Sequence, residues 1–465
     1  MLYEENRAYL STRLRVGESF DIIEKRLKNQ RTEFTFFYID GFVKEGDMLR
    51  IMQHVLTMKE ALSAEDFLSE LPYVEAEVSS DCDFIIKSVL SGQTVTLSPS
   101  FGRGAVLIDA RTYPARPTAE PDSDRVMQGA HDGFVETLVT NTTLIRRRIR
   151  DTRLTFKCLS LGGASRTDVA VCYMNGVADA ALVCEILQKL KDVRPKSLTL
   201  GFQSLAETLV RRGWYNPFPK IRTTERPDAA AAHLMEGSVL VICDTSPQVM
   251  ILPTSIFDYL QQTDDYYFPP LTGSYMRLVR MAILLLSVVA TPLWYLYLEY
   301  AESLPDALRF LIPDDPGALP IILQLFLVEL AIDGLKIASM NTPDMLSNSL
   351  SVVGALLLGD FAVAVGWVCP DVVLYMAFVA IANFAQQNHE LGYAFKFCRM
   401  IILFFTYILG IWGFGIGIVV CTLLVVTNNT PFGRSYLYPL IPFDGRAMKR
   451  LIVRERKRDF ETEGE

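Results

Sequence analysis

The sequence predicts a cytoplasmic α/β domain made of two α/β subdomains, followed by a polytopic α-helical membrane domain. Charge patterning is the first observation behind this. The 465 residues carry 45 Lys and Arg and 53 Asp and Glu, yet only 15 of these charges fall among positions 281–427. A charged side chain is costly at the bilayer centre, so a charge-poor block rich in Leu, Ile, Val and Phe reads as membrane and the remainder as soluble protein. Repetition is the second. Tyr38-Ile39-Asp40-Gly41 is echoed by Tyr173-Met174-Asn175-Gly176, and an amphipathic helical pattern follows each. The mean hydropathy of +0.23 is then the average of two unlike parts.

Taken in order, residues 34–55 read as strand, turn and helix, with Met48, Ile51, Met52 and Val55 at helical spacing. Residues 168–190 repeat the pattern. Each copy is followed by a piece read as strand-rich, 83–97 with 105–109 after the first, and 238–244 with 249–253 after the second. Leu90-Ser91-Gly92-Gln93 and Met235-Glu236-Gly237-Ser238 are matching glycine turns. The expected segments are subdomain 1 over 1–150, subdomain 2 over 151–275, a transmembrane domain over 276–440 and a basic cytoplasmic tail over 441–465. Alternating strands and helices favour a layered sheet. Chance similarity of short βα units is the competing explanation of the repeat. Between the copies, Arg146, Arg147, Arg148, Arg150 and Arg153 form either a phosphate or lipid contact surface, or a solvated helix face or salt-bridge strip.

Several function classes are excluded. Twenty-eight Gly and 23 Pro are too few for a low-complexity chain, and a net charge of −8 argues against nucleic acid as a partner. The eight cysteines contain no Cys-x-x-Cys and no Cys/His cluster at metal-ligand spacing, so reduced thiols and no metal site are expected. The four histidines lie far apart, no phosphate loop is present, and residues 161–166 lack the Lys-Ser/Thr ending of a nucleotide cradle. Neither enzymatic activity nor a cofactor is expected. The first 20 residues show no basic region followed by an apolar one, so no signal peptide is expected and the amino-terminal half should stay cytoplasmic.

In the apolar block, Arg277 and Arg280 precede the first span at 281–297, which ends in Trp294, Tyr295 and Tyr297. Basic residues inside and aromatics at the far interface start this span in the cytoplasm. Further spans are expected at 319–337, 346–368 and 372–385, the last returning toward Lys396 and Arg399. The 28 residues of 400–427 exceed one crossing of roughly 20 residues and fall short of two. A glycine-turned hairpin gives six passes, with four or five as alternatives. Residues 446–458 hold seven basic residues and one acid, which favours a cytoplasmic carboxyl end.

Ionisable residues inside the spans are the sharpest functional clue. Glu329, Asp333 and Lys336 share one helical face, and Asp360 lies deep in the next span. Such residues face a bundle interior or a water-filled path. Either they line an ion pathway, or Asp333 and Lys336 pair and hold two helices together. Asn383, with Gln386, Gln387 and Asn388, forms a second polar strip that lines the same path or caps a short helix.

At Gly133-Phe134-Val135-Glu136, Leu144-Ile145-Arg146-Arg147-Arg148, Thr224-Glu225-Arg226-Pro227-Asp228, Asp265-Tyr266-Tyr267, Val353-Gly354-Ala355 and 432–439 the chain resembles the bacterial spore germination protein GerA family. The resemblance implies a multi-pass protein of the spore inner membrane that forms a cyclic homo-oligomer acting as a cation channel. It also implies other germination membrane proteins or receptor subunits, and membrane lipid, as partners. Thr224, Glu225, Arg226, Pro227, Asp228, Asp265 and Tyr266 are its loop or interface candidates. Glu329, Asp333, Lys336, Asp360 and Asn383 are the candidates for the ion pathway, because rings of Asp or Glu are a common selectivity device of cation pores. The sequence departs from the family's pattern at Gln387-Asn388-His389-Glu390 and at Asp360, which bears on ion preference. The alternatives are an A subunit of a nutrient germinant receptor and a non-conducting membrane scaffold that organises the receptor cluster.

Overall fold

The structure is a computed structural model that describes residues 3–58, 62–113, 129–192, 198–210, 215–262, 264–303, 306–341, 361–386, 388–428, 430, 432 and 435–453. The chain forms two compact units. The first comprises Met1–Arg212, Ile221–Thr254 and Thr430–Arg434, the second Gly213–Lys220, Ser255–Asn429 and Ser435–Glu465.

The first unit contains the same fold twice. One copy runs α1 (Tyr3–Leu14), β1 (Ile22–Lys28), β2 (Glu33–Ile39), α2 (Glu45–Thr57), α3 (Ala64–Glu70), β3 (Ala76–Ser79), α4 (Cys82–Leu90), β4 (Thr94–Leu97), β5 (Ala105–Ile108). The other runs α5 (Leu138–Arg148), β6 (Leu154–Leu161), β7 (Thr167–Met174), α6 (Ala180–Asp192), α7 (Phe202–Leu209), β8 (Arg222–Thr224), α8 (Pro227–Met235), β9 (Val239–Cys243), β10 (Val249–Leu252). The sheets are ordered β1-β2-β4-β5-β3 and β6-β7-β9-β10-β8, antiparallel throughout.

Period-two alternation explains how each sheet buries both faces. Phe37, Ile39, Val95 and Leu107 pack with residues of α1 and α4, whereas Phe34, Phe36, Val106 and Ile108 pack with α2 and α3. In the second copy Ala170, Cys172, Leu240 and Ile242 meet α5 and α8, while Val169, Val171, Val241 and Met250 meet α6 and α7. The helix pairs correspond. With both faces covered, central strands such as Val239–Cys243 are apolar at every position.

One expectation is corrected here. The stretch 83–97 is not strand-rich: Cys82–Leu90 is a helix, because Ile85, Ile86, Val89 and Leu90 form one buried stripe and the Asp81 carboxylate accepts the Asp83 N–H at its start. Only Thr94–Leu97 is strand. The matched turns are the same in detail. Gly92 and Gly237 end α4 and α8 with φ of 99° and 92°, and their N–H groups donate to Val89 O and Leu234 O. Gly41 and Gly176 follow β2 and β7 with φ of 80° and 81°.

The copies are joined by a buried ion pair. Arg146 of α5 donates through Nε and Nη2 to the two carboxylate oxygens of Asp21 at 2.8 and 3.2 Å, and to the carbonyls of Asp151 and Leu154. Both side chains are buried. The arginine run is therefore neither one contact surface nor one solvated face. Arg146 points inward, Arg148 chelates Asp132 with contacts of 2.6 and 2.7 Å, Arg147 lies over the Tyr113 ring, and Arg153 pairs with Asp151 at the surface.

The second unit is helical: α9 (Asp264–Tyr267), α10 (Pro270–Glu299), α11 (Ile321–Asn341), α12 (Pro370–Phe384), α13 (His389–Val426) and α14 (Gly445–Ile452), besides a single turn at Ala362–Ala364. Among the described residues two helices, α10 and α13, are long and apolar enough to cross a membrane. The expected crossing at 346–368 lies mostly outside the described residues. The 38 residues of α13 are bent back at Gly410, whose φ of 55° and ψ of −132° leave the helical region. A Cβ at Gly413 would collide with Phe405 O, one at Gly417 would lie 2.7 Å from Ile402 Cα, and Cys421 Sγ reaches Cys398 O. These contacts define an antiparallel hairpin, with small residues every fourth position letting the two arms approach.

Two outcomes test this account of the first unit. Gly41 and Gly176 occupy the same turn, but a methyl at Gly41 would strike Thr143 Oγ1 of α5 while one at Gly176 meets nothing within 4 Å. Gly41→Ala should therefore cost about 1–3 kcal/mol more than Gly176→Ala in denaturant unfolding. Asp21→Ala, which leaves Arg146 buried and unpaired, should cost about 3–5 kcal/mol; Asp151→Ala, which breaks the exposed pair with Arg153, should cost no more than about 1 kcal/mol in the same assay.

Candidate functional site

The ionisable residues of α11 meet partners from α13. Glu329 is buried and accepts two hydrogen bonds from Arg399 Nη2, each 2.7 Å, while Arg399 Nη1 donates to Ser287 O of α10 at 3.2 Å. Lys396 lies 3.3 Å from Glu329 and forms an ion pair with Asp333. Two acids and two bases, each pair separated by one helical turn, thus face one another across two helices. Three of the four are buried and Asp333 is the more open member.

Lys336 does not close on Asp333. Its ammonium stands 4.7 Å from the centre of the Tyr393 ring, a cation–π contact. Lys396 and Arg399 are the charge partners that sequence reasoning missed. They were placed beyond the end of a span, but α13 begins at His389 and carries both into the helix pair. Their three-residue spacing against acids four apart was the available signal.

The other candidates lie elsewhere. Asp360 falls outside the described residues. Asn383 is half-buried in the last turn of α12, where its carbonyl accepts the Gln386 N–H. From the same polar strip, Asn388 caps α13 by accepting the Leu391 N–H at 2.8 Å, and Gln386 is buried.

Asp265 organises the start of α10. Arg280 donates to both of its oxygens at 3.0 and 3.1 Å, Arg277 Nε approaches at 3.4 Å and the Gln262 N–H at 3.1 Å. Arg280 further binds Leu260 O and Gln262 Oε1, and Arg277 binds Leu451 O of α14. The two arginines before the apolar block are thus turned inward onto one carboxylate. Tyr266 belongs to α9; its side chain lies outside the described set.

The segment Thr224 to Asp228 is a strand-to-helix junction. Thr224 ends β8 and accepts the Arg226 N–H, Pro227 opens α8, and the buried Arg226 guanidinium binds both Asp228 oxygens at 3.1 and 2.7 Å and the Ala130 carbonyl. The Glu225 carboxylate accepts from Gln248 Nε2, and its carbonyl accepts the Phe134 N–H. Proline suits the first helical position because that N–H has no partner within the helix. Further along α8, His233 Nε2 meets Arg222 Nη1 at 3.1 Å. Burial, and then the Arg222 charge, push its pKa down to about 3, so the ring is a neutral acceptor. Among the described residues no group of three His, Cys, Asp or Glu is placed to hold a metal ion.

The α11–α13 network makes a cyclic test possible. Glu329→Leu and Arg399→Leu each strand a buried charge and should each destabilise the detergent-solubilised protein by about 3–5 kcal/mol, whereas the double variant should recover most of that loss. Additive losses, read from thermal unfolding, would show that the two side chains do not act as a pair.

Comparison with known proteins places the chain. The Bacillus/Clostridium GerA spore germination protein family matches residues 9–463. Stage V sporulation protein AF of Bacillus subtilis (strain 168) is 35% identical over 458 residues, covering 97% of this chain and 92% of that protein. Spore germination protein KA of the same organism is 26% identical over 455 residues, covering 95% and 83%. The crystal structure of the N-terminal domain of the A subunit of the Bacillus megaterium spore germinant receptor GerK3 is similar with a TM-score of 0.40 at 22% identity, covering 54% of this chain and 94% of that one. The motifs around Arg146, Arg226 and Asp265 lie within the matched region, and the chain belongs to the Bacillus/Clostridium GerA spore germination protein family.

Proposed function

We propose that this chain is a membrane subunit of the spore germination apparatus, and that copies of it assemble into a ring that conducts monovalent cations across the spore inner membrane. One observation carries the reading: five ionisable side chains, Glu329, Asp333, Lys336, Lys396 and Arg399, lie in helices of a unit whose outward surface is apolar. In the most apolar windows of α10 and α13 only 28% and 22% of residues are buried, and Leu285, Tyr407, Trp412 and Leu423 are exposed. A core helix of a soluble protein is covered on its apolar side, so these surfaces suit lipid. Charges within such a unit are tolerated only where they pair or meet water.

The pairing refines which residues would serve a pathway. Glu329 is fully engaged by Arg399 and Asp333 by Lys396, and Lys336 adds a positive charge, so these helices carry no surplus of acid. Asp360, which the sequence sets deep in an expected span, and Asn383 are the residues we retain for a cation path. In this reading the α11–α13 network holds the helices that frame the path. The same network favours a second reading, a non-conducting scaffold, because paired charges also suit a helix clamp.

Potassium efflux from liposomes containing the purified full chain separates the two. A channel gives efflux that Asp360→Asn lowers about tenfold without changing assembly. A scaffold gives none with any variant. Efflux that requires an added receptor subunit would instead favour the A-subunit role.

A further inference from the structure

The chain carries a net charge of −8, yet residues 446–458 hold seven basic residues and one acid. The described part of this region is α14, an eight-residue helix whose start is fixed by the Asp444 carboxylate accepting the Arg446 and Ala447 N–H groups. Leu451 is buried and its carbonyl accepts from Arg277 Nη1, which fixes α14 against the beginning of α10. Arg446 and Lys449 are exposed.

Immediately before the helix lie apolar side chains that the fold leaves uncovered: Leu440 and Ile441 are about half exposed, and Phe443 is 74% exposed. Apolar side chains in contact with water beside a run of cations are the composition of a segment lying in a membrane interface, where rings and aliphatic groups enter the headgroup boundary and cations meet lipid phosphate. Depth agrees with composition. Arg277 is four positions before Met281, where the apolar block of α10 opens, so α14 is tied about 6 Å outside that block, at headgroup level. Tyr275 is exposed on the same turns of α10, as an interfacial aromatic residue would be.

We infer that residues 438–453 form an interfacial anchor for anionic lipid, with Phe443 and Ile441 entering the headgroup boundary and Arg446 and Lys449 binding lipid phosphates. Because Arg277 joins α14 to Asp265, lipid bound to the anchor bears on the first turns of α10 through one guanidinium.

The anchor rests on α10 being a membrane span. Recovery of the full-length protein in lipid nanodiscs tests that span, and the lipid dependence of hydrogen exchange within those discs tests the anchor separately. In discs containing about 30% phosphatidylglycerol, amides of 445–453 should exchange about tenfold more slowly than in phosphatidylcholine discs, and about 0.5 M salt should remove the difference. Arg446→Glu with Lys449→Glu should abolish the lipid dependence, and Phe443→Ser should weaken it, with exchange in Val239–Cys243 unchanged as the control for folding. Equal protection in both lipids, or protection in anionic discs that survives charge reversal, would overturn the anchor.

Discussion

A carboxylate removed from water must be met by a cation, and at three places where distant segments of this chain come together that cation is arginine. Glu329 and Arg399 are 70 positions apart and join α11 to α13. Asp21 and Arg146 are 125 apart and join the two copies of the sheet domain. Asp265 with Arg277 and Arg280 fixes the entry to α10. A planar guanidinium holds five donors in a fixed fork, so it can bind both carboxylate oxygens and still donate to a backbone carbonyl from a separate nitrogen, a geometry that the single nitrogen of Lys does not offer. Each pair contributes less net stability than its geometry suggests, since both ions lose hydration, but losing one partner strands the other. Such pairs tie one particular segment to another.

Much of the fold could be read from residue pattern. The duplicated turns were visible because glycine at positive φ leaves a mark, and Gly41 with Gly176, and Gly92 with Gly237, fall at equivalent points. The hairpin in α13 was legible from its uncharged length and its glycines. The helix at Cys82–Leu90 was not, because its nine residues end in the same glycine turn and strand that drew the whole stretch toward β. A buried helix and a buried strand have similar composition over so short a run.

The site was legible in one half only. Glu329 and Asp333 stand out because acids are rare in apolar helices, but sequence spacing offers partners on the same helix, and the real ones come from another. Tertiary pairing decides which cation answers which acid, so Lys336 went to an aromatic ring and Lys396 to the acids. In the same way Arg277 and Arg280 fit the usual basic flank of a span, yet Asp265 draws both inward. Flanking charge and structural charge look alike until the fold brings the carboxylate to them.

The bend at Gly410 has a mechanical consequence. Its arms come closest at Gly413 and Gly417, where an added Cβ would collide with Phe405 O and with Ile402 Cα. A slide of one position would bring Ile416 or Ile418 where only a glycine fits, so the arms cannot slip like two ordinary packed helices. The register of the hairpin is therefore set by two residues that have no side chain, and a methyl at either one would force the arms apart.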